Sequence, residues 1–550
     1  MVKFRILSNG FVLILYVLLL QCLIFKRVDC RRTQLSKEAY VTLLYGDEFV
    51  LGVRVLGKSI KDTGSSKDMV VLVSDGVSDY AKSLLEADGW IVEMISLLEN
   101  PNRVRPTRFW GVYTKLKIFN MTNYKKIVYL DADTIVIQNI DDLFKCGKFC
   151  ANLKHSERLN SGVLVVEPSE ALFNDMMKKI TTLPSYTGGD QGFLNSYYVG
   201  FANAHLFEPN LSAEEVKSRT APSMQRLSTL YNADVGLYML ANKWMVDEKE
   251  LRVIHYTLGP LKPWDWWTAW LVKPVDLWQD IRLKVEESLP GTGGGSNPGD
   301  ELWVKSLFMI PIVGLIFIFY RLFLQVSSLS GSTSFCDRMR HLAYRFRTGI
   351  LLPYPSGSPS SAINSNQQLY NGLLSKVPWF LGGMSIAICL LAFVMSLILG
   401  LLIVPRQVLP WTGLLLMYEW TFTIFFLLFG GYLRLIYRWG NIKSCQAGLY
   451  SSDPESLDNY TGKGHQRLAS SHDAAMLHYG FELVLLAIAV PALPFLLGIS
   501  ALFVRLGLMV VGGIVLAAFM AYASEQLGIK SFLRGLEDRD ARTSSTCFFC

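Results

Sequence analysis

The stretch "IVYLDADTIVIQNIDDLF", residues 127–144, joins a buried-strand pattern to two acidic pairs. The β-prone run at residues 126–130 ends abruptly on Asp131-Ala132-Asp133, and another apolar run follows. A lone aspartate after a strand is most often a turn or helix cap. Two aspartates one residue apart would repel each other in a cleft unless a cation neutralised them. The pattern therefore favours a strand end that holds Mg²⁺ or Mn²⁺, which prefer oxygen ligands and commonly bridge to phosphates.

Three more β-prone runs precede this strand, at residues 40–45, 69–73 and 90–97. Helix-compatible segments, "VLGVRVLGKSI" and "DYAKSLLEAD", separate them. This alternation predicts an α/β fold, a mostly parallel sheet with helices on both faces. Ligands of such sheets bind beyond the carboxyl ends of the strands, where Asp131 and Asp133 are expected. The later pair Asp141-Asp142 is expected only to start a turn or a helix.

Apolar segments account for the hydrophobic share of 51% in 550 residues, which exceeds that of ordinary soluble domains. Residues 11–25, "FVLILYVLLLQCLIF", have basic flanks and predict a signal peptide or signal anchor within 1–32, with cleavage left open. Four later apolar regions are long enough to cross a bilayer: about 303–324, 377–404, 411–437 and 480–524. The last could form two helices with a hairpin near Gly498, so we predict five spans in 301–550.

Charge then predicts topology. The connection after the first of these spans is rich in arginine, which places it in the cytosol and residues 33–300 in the lumen. We predict a lumenal domain at 33–288, a linker at 289–300 and a multi-span region at 301–550. The net charge of +7 is attributed to the loops, and no nucleic-acid partner is expected because 33–288 has no basic and aromatic stripe. Cys146 and Cys150 are close enough for a local disulfide in an oxidising lumen.

Seven blocks in residues 40–273 follow one another in a distinctive order. They are "YVTLLYGDEFVLGVRVLGKSI", "YTKL", "YLDADTIVIQNIDDLF", "LNSGVLVVEPS", "TGGDQGFLN", "LYNAD" and "IHYTLGPLKPW". Together they resemble glycosyltransferase family 8, the glycogenin-like group. The resemblance implies a glycosyltransferase-A type nucleotide-diphosphate-sugar domain, a UDP-sugar donor, Mn²⁺ and retention of anomeric configuration.

The resemblance also implies roles for single residues. Asp131, Asp133 and His255 match the metal ligands, and Asp190 and Gln191 match the catalytic pair beside the reacting sugar. The implied donor contacts are Leu43, Tyr45, Lys115, Ala132, Asn160, Ser161, Gly259 and Lys262. A metal on the diphosphate would neutralise the charge that develops on departing UDP. Whether a covalent intermediate forms is left open.

Two departures from the glycogenin pattern bear on the substrates. Thr187 stands where that pattern has an acidic residue, three positions before Asp190. No tyrosine aligns with the self-glucosylated one of glycogenins. The sugar and its acceptor therefore stay open, while metal and UDP binding are still expected.

The multi-span region needs a reason of its own, since one anchor would suffice to hold a lumenal transferase. The segment "KPWDWWTAWLVKPVDLW", residues 262–278, is rich in tryptophan, which favours either the headgroup level of a membrane or a protein core. A lipid acceptor is the economical interpretation. The combination of domain and spans resembles the plant inositol phosphorylceramide glucuronosyltransferases, which implies UDP-glucuronate as donor, inositol phosphorylceramide as acceptor, and residence in the Golgi membrane.

The sequence also allows a cell-wall polysaccharide or protein acceptor, or a non-catalytic donor-binding membrane protein. A glucuronate carboxylate would require a cation, and four lie near the relevant blocks: Arg105, Arg108, Lys154 and Arg158. The sequence does not choose among them. Glu419, beside two tryptophans in an apolar region, is the best intramembrane candidate for a function.

Overall fold

The computed structural model describes residues 38–101, 111–154, 157–210, 222–257, 259–289, 300–329, 377–450 and 465–540. The predicted signal segment, residues 290–299 of the predicted linker and two of the four candidate cations, Arg105 and Arg108, lie outside these ranges. The chain divides into two compact units. The first runs to Trp264 and resumes from Pro274 to Asp300, and the second comprises Asp265–Lys273 and the chain from Glu301 onward.

The first unit is built on a mixed sheet and a small second sheet. Its strands are β1 (Glu38–Leu44), β2 (Asp68–Val73), β3 (Ile91–Met94), β4 (Lys126–Leu130), β5 (Thr134–Val136), β6 (Phe149–Leu153), β7 (Leu159–Val166), β8 (His205–Leu206), β9 (Met224–Leu227), β10 (Ala233–Asp234) and β11 (Val253–His255). The large sheet has the order β3-β2-β1-β4-β7-β6-β9-β8, and the small one β10-β11-β5. In the large sheet only β7 runs antiparallel to its neighbours. The predicted mostly parallel sheet is confirmed.

Helices cover both faces of the large sheet. Those of the first unit are α1 (Val50–Asp62), α2 (Asp79–Ala87), α3 (Glu170–Lys179), α4 (Asp190–Tyr197), α5 (Val235–Ala241) and, after the short helix α6 (Trp266–Leu271) of the second unit, α7 (Val275–Ser288). Because successive strand residues face opposite ways, β1 contributes Tyr40 to one apolar core, shared with α1 and α2, and Val41 to another, shared with α4. This two-faced packing is the predicted α/β architecture.

The region after the metal-site strand is fixed by a disulfide and by the second acidic pair. Cys146 and Cys150 form the predicted disulfide. Asp141 and Asp142 begin a 3₁₀ helix, Asp141–Lys145, as expected. They also accept hydrogen bonds, Asp141 from the Tyr40 hydroxyl at 2.6 Å and Asp142 from the Tyr231 hydroxyl at 2.7 Å. These hydrogen bonds connect the 3₁₀ helix to β1 and to the chain just before β10.

The second unit consists of long apolar helices and one short segment. Its helices are α6 (Trp266–Leu271), α8 (Asp300–Leu329), α9 (Leu381–Ile403), α10 (Pro410–Tyr450), α11 (His465–Leu496) and α12 (Leu502–Asp540). Within the described ranges, four helical stretches are long and apolar enough to cross a membrane: Leu381–Ile403, Pro410–Lys443, His478–Leu496 and Leu502–Leu536. The predicted hairpin is present, with Gly498 at a φ of +67° between α11 and α12. The predicted span at 303–324 coincides with α8, which is not among those four, and remains a prediction.

The tryptophan-rich segment divides between the two units. Trp264 and Trp278 are buried in the core of the first. Trp266 packs on Gly413 of α10, where a β-carbon would lie 2.2 Å from the indole Cγ. Arg505, a charged residue within the apolar region 480–524, donates to the Trp270 carbonyl at 3.3 Å, so it joins α12 to α6. One carboxylate oxygen of Glu419 is buried and accepts no hydrogen bond from the described part of the chain, and its predicted role stays a prediction.

Candidate functional site

The site begins where β4 ends, at the Asp131-Ala132-Asp133 loop. The Asp131 N–H donates to the Gly162 carbonyl at 2.9 Å, and the Thr134 N–H returns to the Asp131 carbonyl at 3.0 Å. Gly52 of α1 lies beneath the loop, since a β-carbon there would be 2.6 Å from the Ala132 carbonyl oxygen. The tight turn and the close approach of α1 set the position of both aspartates.

Strand β11 brings His255 to the same place, because it pairs with β5 so that His255 lies opposite Thr134. The imidazole Nε2 is 3.3 Å from Asp133 Oδ1 and 3.8 Å from Asp131 Oδ2. One ligand atom from each of the three residues lies within 4.8 Å of the others. The structure therefore assembles the three predicted metal ligands, which are 124 residues apart in sequence at their extremes. Two carboxylates and an imidazole are donors that suit a divalent cation.

A buried amide orients the histidine. His255 Nδ1 lies 3.0 Å from Asn232 Oδ1, and the Asn232 amide nitrogen donates to Asn160 Oδ1 at 2.8 Å. Since the Asn232 nitrogen is used in this way, its oxygen accepts from the imidazole, which places the proton on Nδ1 and leaves Nε2 free to bind a cation. Gly162 makes room for the ring, as a β-carbon there would be 2.1 Å from Cε1. The sequence reasoning missed Asn232, although it lies in the "LYNAD" block.

A lysine lies beside one carboxylate of the cluster. Lys262 Nζ lies 2.6 Å from Asp133 Oδ2. Burial alone would raise the pKa of Asp133, but the Lys262 ammonium, joined by His255 whenever its ring is protonated, outweighs burial and holds that pKa below its usual range. The carboxylate is thus in the form that binds a metal. Gly259, three residues before Lys262, has a φ of +64°, a backbone conformation that other residues adopt only with strain.

Lys115 connects the metal cluster to the predicted catalytic pair. Its Nζ lies 3.0 Å from Asp131 Oδ1 and 3.1 Å from Asp190 Oδ2, and it donates to the Ser161 carbonyl at 3.1 Å. Burial would lower the pKa of Lys115, but Asp131 and Asp190 raise that pKa by more than burial lowers it, so the ammonium stays charged. Tyr129 adds a hydrogen bond to Asp131 Oδ1 at 2.9 Å. Lys115 was predicted to contact the donor, and here it also holds two acidic residues in fixed relation.

Asp190 and Gln191 occupy the first turn of α4. The hydroxyl of Thr187 accepts from the N–H groups of Gly189 at 3.2 Å and Gly192 at 3.0 Å, which satisfies donors at the start of the helix. The Gln191 side-chain oxygen accepts from the Asn160 amide at 3.0 Å. Because Asn160 also bonds Asn232, one continuous polar chain links His255 to Gln191.

The remaining predicted contacts lie at the carboxyl end of β1 or in the loop. The Leu43 side chain is 7% exposed and belongs to the core, so only its backbone is available to a ligand. The Tyr45 ring borders the site. Burial, followed by Glu48 and Asp131, raises its pKa to about 12. Ala132 lies between the two aspartates and is half-buried.

Comparisons with known proteins agree with this geometry. Residues 41–148 match the profile of the family described as "Glycosyl transferase family 8". Inositol phosphorylceramide glucuronosyltransferase 1 of Arabidopsis thaliana is 62% identical over 541 residues, covering 98% of this chain and 99% of that protein. UDP-glucuronate:xylan alpha-glucuronosyltransferase 1 of the same plant is 37% identical over 30% of this chain and 25% of its own length. Mouse glycogenin-1 is 32% identical over 42% of this chain and 67% of its own. The chain therefore belongs to glycosyltransferase family 8.

Proposed function

We propose that this protein transfers glucuronic acid from UDP-glucuronate to the inositol of inositol phosphorylceramide, with retention of anomeric configuration and with Mn²⁺ as cofactor. The observation that carries the proposal is the cluster of Asp131, Asp133 and His255 in a family 8 chain. The similarity to a relative named for this reaction extends over 98% of the chain, including the apolar helices.

The chain's own residues would divide the work. Asp131, Asp133 and His255 would hold the metal, with Asn232 fixing the imidazole. Bound there, Mn²⁺ would act as a Lewis acid on the donor diphosphate. Lys262 and the backbone around Gly259 would face the same phosphates, since both a cation and close backbone approach favour an anion. Lys115 would fix the Asp131 and Asp190 carboxylates relative to each other, since it contacts both.

Asp190 and Gln191 would flank the reacting sugar. Retention requires that the new bond form on the face from which UDP leaves, or that two inversions occur in succession. The Asp190 carboxylate is 8% exposed and lies 3.1 Å from Lys115 Nζ, which would hold it in place to stabilise positive charge that develops on the sugar ring. Gln191, fixed by Asn160, would hydrogen-bond the sugar. Asn160 and Ser161 would supply further sugar contacts.

A lipid acceptor explains the second unit better than a polysaccharide does. The relative named for xylan aligns with only 30% of this chain, whereas the relative named for inositol phosphorylceramide aligns with the helices as well. Four described helices suit a bilayer, where such a lipid resides. We further propose a multi-pass Golgi membrane protein with the first unit in the lumen, which the Cys146–Cys150 disulfide favours.

The test is transfer by membranes that contain the full-length chain. They would be incubated with labelled UDP-glucuronate, UDP-glucose or UDP-galactose, and lipids would then be separated from glycans and protein. We expect label from UDP-glucuronate in an inositol-containing sphingolipid. Chelation of divalent metal should abolish transfer, and Mn²⁺ should restore it.

The test variant is Asp131→Asn with Asp133→Asn, which preserves size while removing both charges, and the matched control is Asp79→Asn, whose side chain is fully exposed at the start of α2. The double variant should lose at least about 1,000-fold in turnover, on the scale of other charge-stabilising groups, and the control should match wild type. Full transfer by the double variant would refute the metal role. Label found in polysaccharide rather than lipid would refute the acceptor.

A further inference from the structure

The polar chain of the site continues beyond Gln191. The Gln191 amide nitrogen donates to the Tyr186 hydroxyl at 3.0 Å, and the Arg158 guanidinium carbon lies 4.1 Å from the centre of the Tyr186 ring. Arg158 is therefore two contacts from Gln191. We propose that Arg158 binds the carboxylate of the donor sugar. This inference rests on the proposed function, in which that sugar is glucuronic acid.

Among the basic residues near the site that the structure describes, Arg158 differs from the others in its partners. Lys154 Nζ lies 2.7 Å from Asp234 Oδ2, and both side chains are nearly buried. Asp234 in turn accepts from the Gly236 N–H at 2.7 Å, so the pair belongs to the start of α5. Lys115 and Lys262 are engaged by the aspartates of the metal cluster. Arg158 has no acidic partner within the ranges that the structure describes, and its side chain is exposed.

The backbone presents Arg158 on the correct side of the sheet. It immediately precedes β7, two residues before Asn160, and residues two apart in an extended chain project to the same face. The Lys154 N–H donates to the Arg158 carbonyl at 2.9 Å, which closes the turn between β6 and β7. Asn160, on that same face, is the residue that holds Gln191.

The stacking explains why an arginine suits this position. A guanidinium held over an aromatic ring still has N–H groups available, and these can donate two parallel hydrogen bonds to a carboxylate. The Tyr186 ring is itself held by Gln191, so the cation is positioned before a ligand arrives. UDP-glucose carries a hydroxymethyl group in place of the carboxylate and would gain little from this contact.

The test is donor preference in the full-length membrane protein, measured as kcat/KM for UDP-glucuronate divided by kcat/KM for UDP-glucose, with inositol phosphorylceramide as acceptor. Arg158→Gln should lower this ratio by about 10- to 100-fold, the scale of a hydrogen bond to a charged group. Arg158→Lys, which keeps the charge without the planar fork, should give an intermediate ratio. Tyr186→Leu, which removes the stacking surface, should lower the ratio as well.

The two other arginines that could bind the sugar carboxylate, Arg105 and Arg108, serve as matched controls. Arg105→Gln and Arg108→Gln should retain the wild-type ratio. An unchanged ratio in Arg158→Gln, or a fall confined to the Arg105 or Arg108 variants, would overturn the assignment. The acceptor phosphodiester is another oxyanion, so a higher KM for the lipid with an unchanged donor ratio would also overturn it. A wild-type chain without preference for UDP-glucuronate would instead refute the proposed function. Failure of the proposed function is thus distinguishable from failure of the Arg158 assignment.

Discussion

At the scale of single residues, Asn232 determines how the metal cluster is presented. It is fully buried, and it joins the His255 imidazole to Asn160 through two hydrogen bonds. We predict that Asn232→Ala raises the Mn²⁺ concentration for half-maximal transfer by about 10- to 100-fold, the usual effect of removing a group that orients a metal ligand. The measurement is a Mn²⁺ titration of transferase activity at saturating donor.

Asn152 provides a control of the same chemistry. It is also buried, and its amide donates to the Leu227 carbonyl at 3.1 Å, between β6 and β9. Asn152→Ala should lower thermal stability about as much as Asn232→Ala does. It should leave the Mn²⁺ concentration for half-maximal transfer unchanged. If Asn232→Ala had the wild-type midpoint, the amide would serve stability alone.

These two asparagines also indicate what the sequence could and could not reveal at this scale. Asp131 and Asp133 were predictable because paired carboxylates after a buried strand are unusual without a cation. His255 required the family resemblance. Asn232 escaped notice because an isolated asparagine is ordinarily a turn residue, and only the folded chain brings its amide beside the imidazole.

At the scale of elements, the first turn of α4 depends on a hydroxyl. Thr187 Oγ1 accepts from two N–H groups at the start of the helix that carries Asp190 and Gln191. We predict that Thr187→Val, which keeps the shape but removes the oxygen, lowers stability by about 1 kcal/mol. If the misplacement of Asp190 raises the activation free energy by the same amount, kcat falls by about fivefold. Thermal unfolding and steady-state kinetics measure the two effects.

Thr187→Ser is the matched variant, since it restores the oxygen without the methyl group. It should recover most of the lost turnover. Thr187→Val with unchanged kcat would show that the orientation of Asp190 is set by Lys115 instead.

The same helix start shows why element-level prediction succeeded only in part. The four strand patterns before residue 131 and the two helices between them matched the structure, because periodic burial marks them in the sequence. Thr187 stood out only as a departure from the glycogenin pattern, and its capping role depends on the turn at Gly188, where φ is +73°. The antiparallel direction of β7 is set by its short connection to β6, a feature of chain reversal that strand patterns do not encode.

At the scale of the whole molecule, sequence and structure both separate a sheet-based unit from long apolar helices. The division is not a single cut. Asp265–Lys273 groups with the helices although the chain on either side belongs to the first unit. No boundary rule based on composition would place nine residues in this way, because their tryptophans suit either a core or a membrane interface.

The proposed topology makes a direct prediction about glycosylation. Asn120, in "NMT", and Asn210, in "NLS", are acceptor sequons whose asparagines are exposed on the first unit. If this unit faces the lumen, removal of N-glycans should shift the full-length protein, and Asn120→Gln and Asn210→Gln should each account for part of that shift. Asn459, in "NYT", lies outside the described residues and within the predicted cytosolic loop, so Asn459→Gln should change nothing.

Protease added to sealed vesicles should cut the chain between residues 330 and 376 and spare the first unit, because the arginine-rich connection is predicted to face the cytosol. A glycan on Asn459, or a first unit digested in intact vesicles, would invert the topology and with it the lumenal assignment of the transfer reaction.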